Sequence, residues 1–247
     1  MRSKKALKLT TKYSINFSLP KRSKKKIIFI IIHYTGMKDE LKALRKLCDY
    51  RSEVSSHYLI KNDGEILNLV PDLYEAWHAG ESSWKKYKLL NKFSIGIEIS
   101  NPGHEHGYKK FNSNQISSLI ELLKYLQKKY VIKSKNILGH SDVAPYRKKD
   151  PGEKFPWKKL AHKNLCEWHN LSDNQIKKKR NLSTSFFDKK IFFRNLNKIG
   201  FPNILKIKNM DYSTYLVKAF QRKYRQNLIN GKIDQECFLI SKSLLKN

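Results

Sequence analysis

Residues 139–152 read Gly-His-Ser-Asp-Val-Ala-Pro-Tyr-Arg-Lys-Lys-Asp-Pro-Gly. This loop sets His140 and Asp150 ten positions apart, with Lys148 between them. Far upstream, the apolar run 27–32 ends in a further histidine, His33. Two imidazoles and one carboxylate are the donor set of a catalytic zinc that keeps its fourth position open for water. The chain also carries His57, His78, His104, His106, His162 and His169, so spacing alone does not choose the set.

The elements that must position these side chains follow from hydrophobic pattern. Residues 27–33 are continuously apolar up to the histidine, which predicts a central strand covered on both faces. Residues 39–48 place Leu41, Leu44, Leu47 and Cys48 at helical spacing. Residues 57–70 read as a hairpin turning at Asn62-Asp63-Gly64. The stretch SIGIEIS (94–100) alternates and predicts a strand on which Glu98 shares a face with Gly96, opposite Ile97 and Ile99. Asn112 followed by Gln115 marks a capping box before a helix with Ile116, Leu119, Ile120, Leu123, Leu126 and Tyr130 on one face. Residues 136–139 form a short strand that delivers His140. Strands alternating with helices predict an α/β domain built on a central mixed sheet flanked by helices.

Beyond Trp157 the composition changes. Residues 169–185 are polar, contain Lys177-Lys178-Lys179-Arg180, and read as a linker. Three apolar stripes follow: Phe192, Phe193, Leu196 and Ile199; Leu216, Val217, Phe220 and Tyr224; and Cys237, Ile240 and Leu244, with Asp234 as an N-cap. They predict a small three-helix module. Residues 1–25 read as a basic, irregular arm.

The formal net charge is +30, carried mostly by lysine along the whole chain. The charge points to an anionic partner such as nucleic acid, an anionic membrane surface or an acidic polymer. Base readout and bidentate phosphate clamping favour arginine, however, so the lysine bias argues against nucleic acid. An anionic polymer as substrate accommodates it, and so does a genome rich in A and T. The three cysteines, Cys48, Cys166 and Cys237, form no CxxC pair and suggest no disulfide framework. No apolar leader follows the basic start Met1-Arg2-Ser3-Lys4-Lys5, and run 27–32 is too short to span a bilayer. The expectation is a monomer without an integral membrane segment, in the cytoplasm, with the periplasm or cell envelope as the alternative.

Five motifs together carry a family resemblance: IIIHYTGM (30–37), EVSSHYLIKNDGEI (53–66), AWHAG (76–80), SIGIEISNPGHE (94–105) and LGHSDVAPYRKKDPG (138–152), followed by FPW (155–157). In this order and spacing the chain resembles zinc-dependent N-acetylmuramoyl-L-alanine amidases of the type-2 family, which share a fold with peptidoglycan recognition proteins. The resemblance covers about residues 14–168 and implies a catalytic domain there, overlapping the N-terminal arm. It implies Zn2+ held by His33, His140 and Asp150, Glu98 as general base, and Lys148 as stabiliser of the oxyanion. It implies substrate contacts from Tyr34, Trp77, His78 and Asn101. His57 and Tyr58 read as packing. Ser56 stands where a phage lysozyme of this fold carries a catalytic tyrosine, which leaves that part to Glu98. The implied substrate is peptidoglycan or a muropeptide, with or without the anhydro sugar. The alternative is a recognition protein that binds peptidoglycan without cleaving it. Residues 186–247 resemble a peptidoglycan-binding module through VKAFQRKYR (217–225) and GKIDQEC (231–237), with Cys237 replacing the usual threonine.

Overall fold

The computed structural model describes residues 7–202 and 210–246. The basic start Met1-Arg2-Ser3-Lys4-Lys5 lies outside the described residues. The elements are β1 (Thr10–Thr11), β2 (Phe17–Ser18), β3 (Phe29–Tyr34), α1 (Glu40–Cys48), β4 (Tyr58–Ile60), β5 (Ile66–Asn68), β6 (Glu75–Ala76), β7 (Ser83–Trp84), β8 (Tyr87–Lys88), β9 (Ser94–Ile99), α2 (Ser113–Tyr130), β10 (Ile137–Gly139), α3 (His140–Val143), α4 (Trp157–Ala161), α5 (Asp173–Lys177), α6 (Phe186–Ile199), α7 (Met210–Tyr224) and α8 (Gln235–Ser243). The chain divides into two compact units. One contains residues up to 80 together with 89–138, and the other contains 81–88 and everything from 139 onward.

The first unit is built on a mixed sheet of order β1-β5-β4-β9-β3-β10. β3 and β4 both run parallel to β9, while β4 and β5 form the antiparallel hairpin expected from Asn62-Asp63-Gly64. Gly64 sits at φ +90, a left-handed conformation that glycine adopts without steric cost. β3 lies between two neighbours in the sheet, and its residues are apolar on both faces: Phe29, Ile30, Ile31 and Ile32 are all buried. α2 has the expected capping box, with the side chains of Asn112 and Gln115 each accepting from the other's backbone N–H. Its Leu119, Leu122, Leu123 and Leu126 are fully buried.

A buried carboxylate ties α2 to the hairpin region. Asp72 accepts from the hydroxyls of Tyr58 at 2.6 Å and Tyr130 at 2.7 Å, and from Lys129 Nζ at 2.8 Å. Burial alone would raise its pKa, but these hydrogen bonds outweigh burial and hold it below the usual carboxylate range.

Two local expectations change. Leu41 is 59% exposed, because α1 packs Leu44 and Leu47 against Leu59, Leu67 and Leu69 and turns Leu41 to solvent. The segment read as an irregular arm adds strand β1 to the sheet edge and pairs β2 with β6. Arg22 is also buried, donating to the carbonyls of Asn91, Ser94 and Asp72, because loops with no regular partner leave acceptors that a guanidinium can satisfy.

In the second unit the three apolar stripes form helices α6, α7 and α8, with Phe192, Leu196, Phe220, Tyr224, Cys237 and Ile240 buried. Asp234 caps α8 by accepting from the N–H of Cys237. The stretch read as a linker contains α5, whose Ile176 is buried, and Arg180 pairs with Glu236 through two bonds of 2.6 and 2.7 Å. The hairpin β7–β8 belongs to this unit: the Trp84 ring lies tilted against that of Phe201 at 4.9 Å, and a Cβ on Gly200 would lie 2.4 Å from the Trp84 ring. On α7, Lys223 is 1% exposed and lies 2.8 Å from Asp142 of α3, with its ammonium 4.4 Å above the Trp157 ring. The same Asp142 carboxylate oxygen accepts from the N–H of Gly139 at 2.8 Å. All three cysteines are free thiols. Among the described residues, no helix is long and apolar enough to cross a membrane.

Candidate metal centre

His33 is the fifth residue of β3, and His140 directly follows β10, the strand beside β3 in the sheet. His140 opens a short helix rather than ending a strand. Asp150 lies ten residues on, and its carbonyl accepts from the N–H of Ser141 at 2.8 Å. His33, His140 and Asp150 are all buried, and one donor atom from each lies within 4.8 Å of the others.

The fit to a metal ion can be tested on one edge of this triangle. Zinc bonds of about 2.0–2.1 Å at tetrahedral angles separate two donors by roughly 3.3 Å. His140 Nδ1 and Asp150 Oδ2 lie 3.1 Å apart. Two imidazoles and one carboxylate leave a divalent ion a net positive charge, which suits Lewis-acid catalysis.

Glu98 is the Cα partner of His33 in the parallel β3–β9 ladder. Residues level with one another in adjacent strands project from the same face, so Glu98 is aimed to the side that carries His33. It is half-buried. Lys148 is half-buried too, whereas its neighbours Arg147 and Lys149 are exposed.

The residues expected to touch substrate divide into several roles. Tyr34 is half-buried, with its hydroxyl 2.9 Å from His104 Nδ1, and His104 stacks on Tyr108 at 4.4 Å. Trp77 is half-buried, and its indole N–H donates to Ser18 Oγ at 2.8 Å. His78 turns its Nδ1 to His33 Nε2 at 3.0 Å. Asn101 is buried and braces its own loop: its amide accepts from the N–H of Gly103 and donates to the carbonyl of Lys109.

His57 and Ser56 are structural. His57 Nδ1 accepts from the N–H of Gly96, and its Nε2 lies 3.0 Å from the carbonyl of Tyr74. Burial, and then the nearby Arg22 charge, push the His57 pKa down to about 3. Ser56 is fully buried and donates to the carbonyl of Tyr58. Sequence reasoning missed Ser94, whose hydroxyl lies 3.2 Å from His78 Nε2. Its one sequence signal is position: it shares a strand face with Gly96 and Glu98.

This fold is that of a hydrolase family. The family model for N-acetylmuramoyl-L-alanine amidase, Amidase_2, matches residues 23–153. The chain is 33% identical over 233 residues to N-acetylmuramoyl-L-alanine amidase AmiD of Escherichia coli strain K12, covering 90% of this chain and 83% of that one. Its fold superposes on AmiD in complex with the substrate anhydro-N-acetylmuramic acid-L-Ala-D-gamma-Glu-L-Lys, with a TM-score of 0.79 at 32% identity, covering 93% and 92% of the two chains. AmpDh3 of Pseudomonas aeruginosa gives a TM-score of 0.78 at 28% identity, covering 93% and 95%. The chain belongs to the type-2 N-acetylmuramoyl-L-alanine amidase family.

Proposed function

We propose that this chain hydrolyses the amide between the lactyl group of N-acetylmuramic acid, or its anhydro form, and L-alanine, in peptidoglycan or in muropeptides released from it. The observation that carries this reading is the convergence of His33, His140 and Asp150 to within 4.8 Å in a chain of this family. A zinc ion held by these three donors would polarise the scissile carbonyl and make water acidic enough to attack near neutral pH.

The remaining work falls to the chain's own groups. Glu98, level with His33 in the ladder, takes the proton from the attacking water and returns it to the departing amine of L-alanine. Lys148, half-buried in its loop, supplies positive charge where the carbonyl oxygen becomes an oxyanion. Tyr34 with His104 and Tyr108 offers an aromatic wall against which a sugar or stem peptide packs. The excess of cations favours encounter with stem peptides, which carry carboxylates.

The test uses a purified muropeptide and mass spectrometry of its products. The full chain should release a peptide beginning with L-alanine, lose that activity with a chelator and regain it with added zinc. Glu98→Gln should lose about 10²-fold or more in kcat while binding zinc as well as the parent. Undiminished turnover after complete metal removal would sink the reading.

A further inference from the structure

His78 and Ser94 form a chain of hydrogen bonds whose proton positions can be derived from its far end. The Leu90 carbonyl has no proton to give, and Ser94 Oγ lies 2.6 Å from it, so the serine hydroxyl donates there. With its single proton committed, Ser94 Oγ meets His78 Nε2 at 3.2 Å as an acceptor. His78 therefore carries its proton on Nε2 and presents a lone pair on Nδ1. That nitrogen lies 3.0 Å from His33 Nε2, which donates into it. The lone pair of His33 then resides on Nδ1.

We propose that Ser94 and His78 are positioning residues that fix His33 in the Nε2–H tautomer, so that its Nδ1 is the donor presented to a cation. The value of this for metal holding rests on the reading of His33 as a ligand; the tautomer itself stands on the hydrogen bonds of two neutral imidazoles. An imidazole pair is otherwise symmetric. Without Ser94, His78 can protonate on Nδ1 and donate to His33 Nε2, which moves the His33 proton to Nδ1 and blocks it as a ligand.

The surroundings hold the relay in place. A Cβ at position 96 would lie 2.4 Å from the His78 ring, so Gly96 is required for space, its backbone being ordinary strand. Asn91 Oδ1 accepts from the backbone N–H of His78 and of Ala79, at 3.2 and 2.7 Å, anchoring the segment that carries the ring. His57 closes the other side with its ring edge-on at 5.6 Å. Its Nδ1 is already taken by the Gly96 N–H, so it does not compete for the relay's protons.

The experiment uses full-length, metal-free protein with ¹⁵N-labelled histidine. Long-range ¹H–¹⁵N correlations distinguish the two tautomers directly, and single His→Gln variants assign the rings. His33 and His78 should both report Nε2–H. In Ser94→Ala, an Nδ1–H population should appear at His33, and zinc affinity, read by competition with a chromogenic chelator, should weaken about 10- to 100-fold. Ser94→Thr, which restores the hydroxyl, should recover most of that loss. A proton on Nδ1 of His33 in the parent chain overturns the proposal, and so does Ser94→Ala with parental zinc affinity. If Ser94→Ala does not fold, the parent's tautomer decides. If the parent binds no zinc, the metal reading fails while the tautomer pattern still decides the relay.

Discussion

Arg147, Lys148 and Lys149 are three cations in a row, and their exposure separates them. Only Lys148 is withdrawn from solvent, where its charge is less screened and acts more strongly on a developing anion. Lys148→Met should lower kcat about 10²- to 10³-fold with a smaller change in KM, whereas Lys149→Met should leave both near parental values; steady-state kinetics on one muropeptide checks this. The contrast also marks how far the site was legible. Zinc chemistry admits few donor types, so two histidines and an aspartate stood out once motifs chose among eight histidines. The strand face that carries Glu98 was legible through alternation. Ser94 was not, because a serine's role depends on which carbonyl and which ring lie beside it, and Leu90 and His78 reach it through loops without periodicity. The bracing of its own loop by Asn101 is likewise something only the fold could reveal.

The helices and strands were most legible where one face is apolar and the ends are capped. α2 has the capping box and the stripe that its sequence predicts, and the hairpin turns at Asn62-Asp63-Gly64 as its composition demands. Elements held by single polar contacts were not legible. The N-terminal segment carries too few apolar residues to read as part of a core, yet Arg22 is buried there by carbonyl acceptors spread over residues 72–94. The stretch 169–185 buries His169 and Ile176 and carries an Arg180–Glu236 pair in place of a hydrophobic stripe. Asp72 is the clearest case, because one carboxylate satisfies two tyrosines and a lysine drawn from two elements. Asp72→Ala should cost about 2–4 kcal/mol by leaving buried hydroxyls without an acceptor, and Asp72→Asn should cost less; urea denaturation at pH 7 measures both.

Two buried imidazoles, His57 and His169, are a liability in acid for a chain of formal charge +30. Burial and Arg22 depress the His57 pKa to about 3, and burial depresses that of His169 to about 4. In the unfolded chain both take a proton near pH 6.5, so below that value the unfolded state binds more protons and stability falls. The fall continues until the folded values are reached. Between pH 6.5 and 5, before carboxylates titrate, each such histidine should remove up to about 1.4 kcal/mol per pH unit. Urea midpoints across that window should decline, and His169→Gln should flatten the decline. The buried Lys223–Asp142 pair has a different kind of consequence, one for how the chain can be cut. The C-terminal helices look in sequence like a cassette, a module that a gene could gain or shed at residue 169. Shedding it would strip Asp142 of both its counter-ion and its cover, at the start of the segment that carries His140 and Asp150. A chain ending at residue 168 should therefore express poorly and hold zinc weakly, and a protease nick within 177–183 should leave two fragments that elute together in gel filtration.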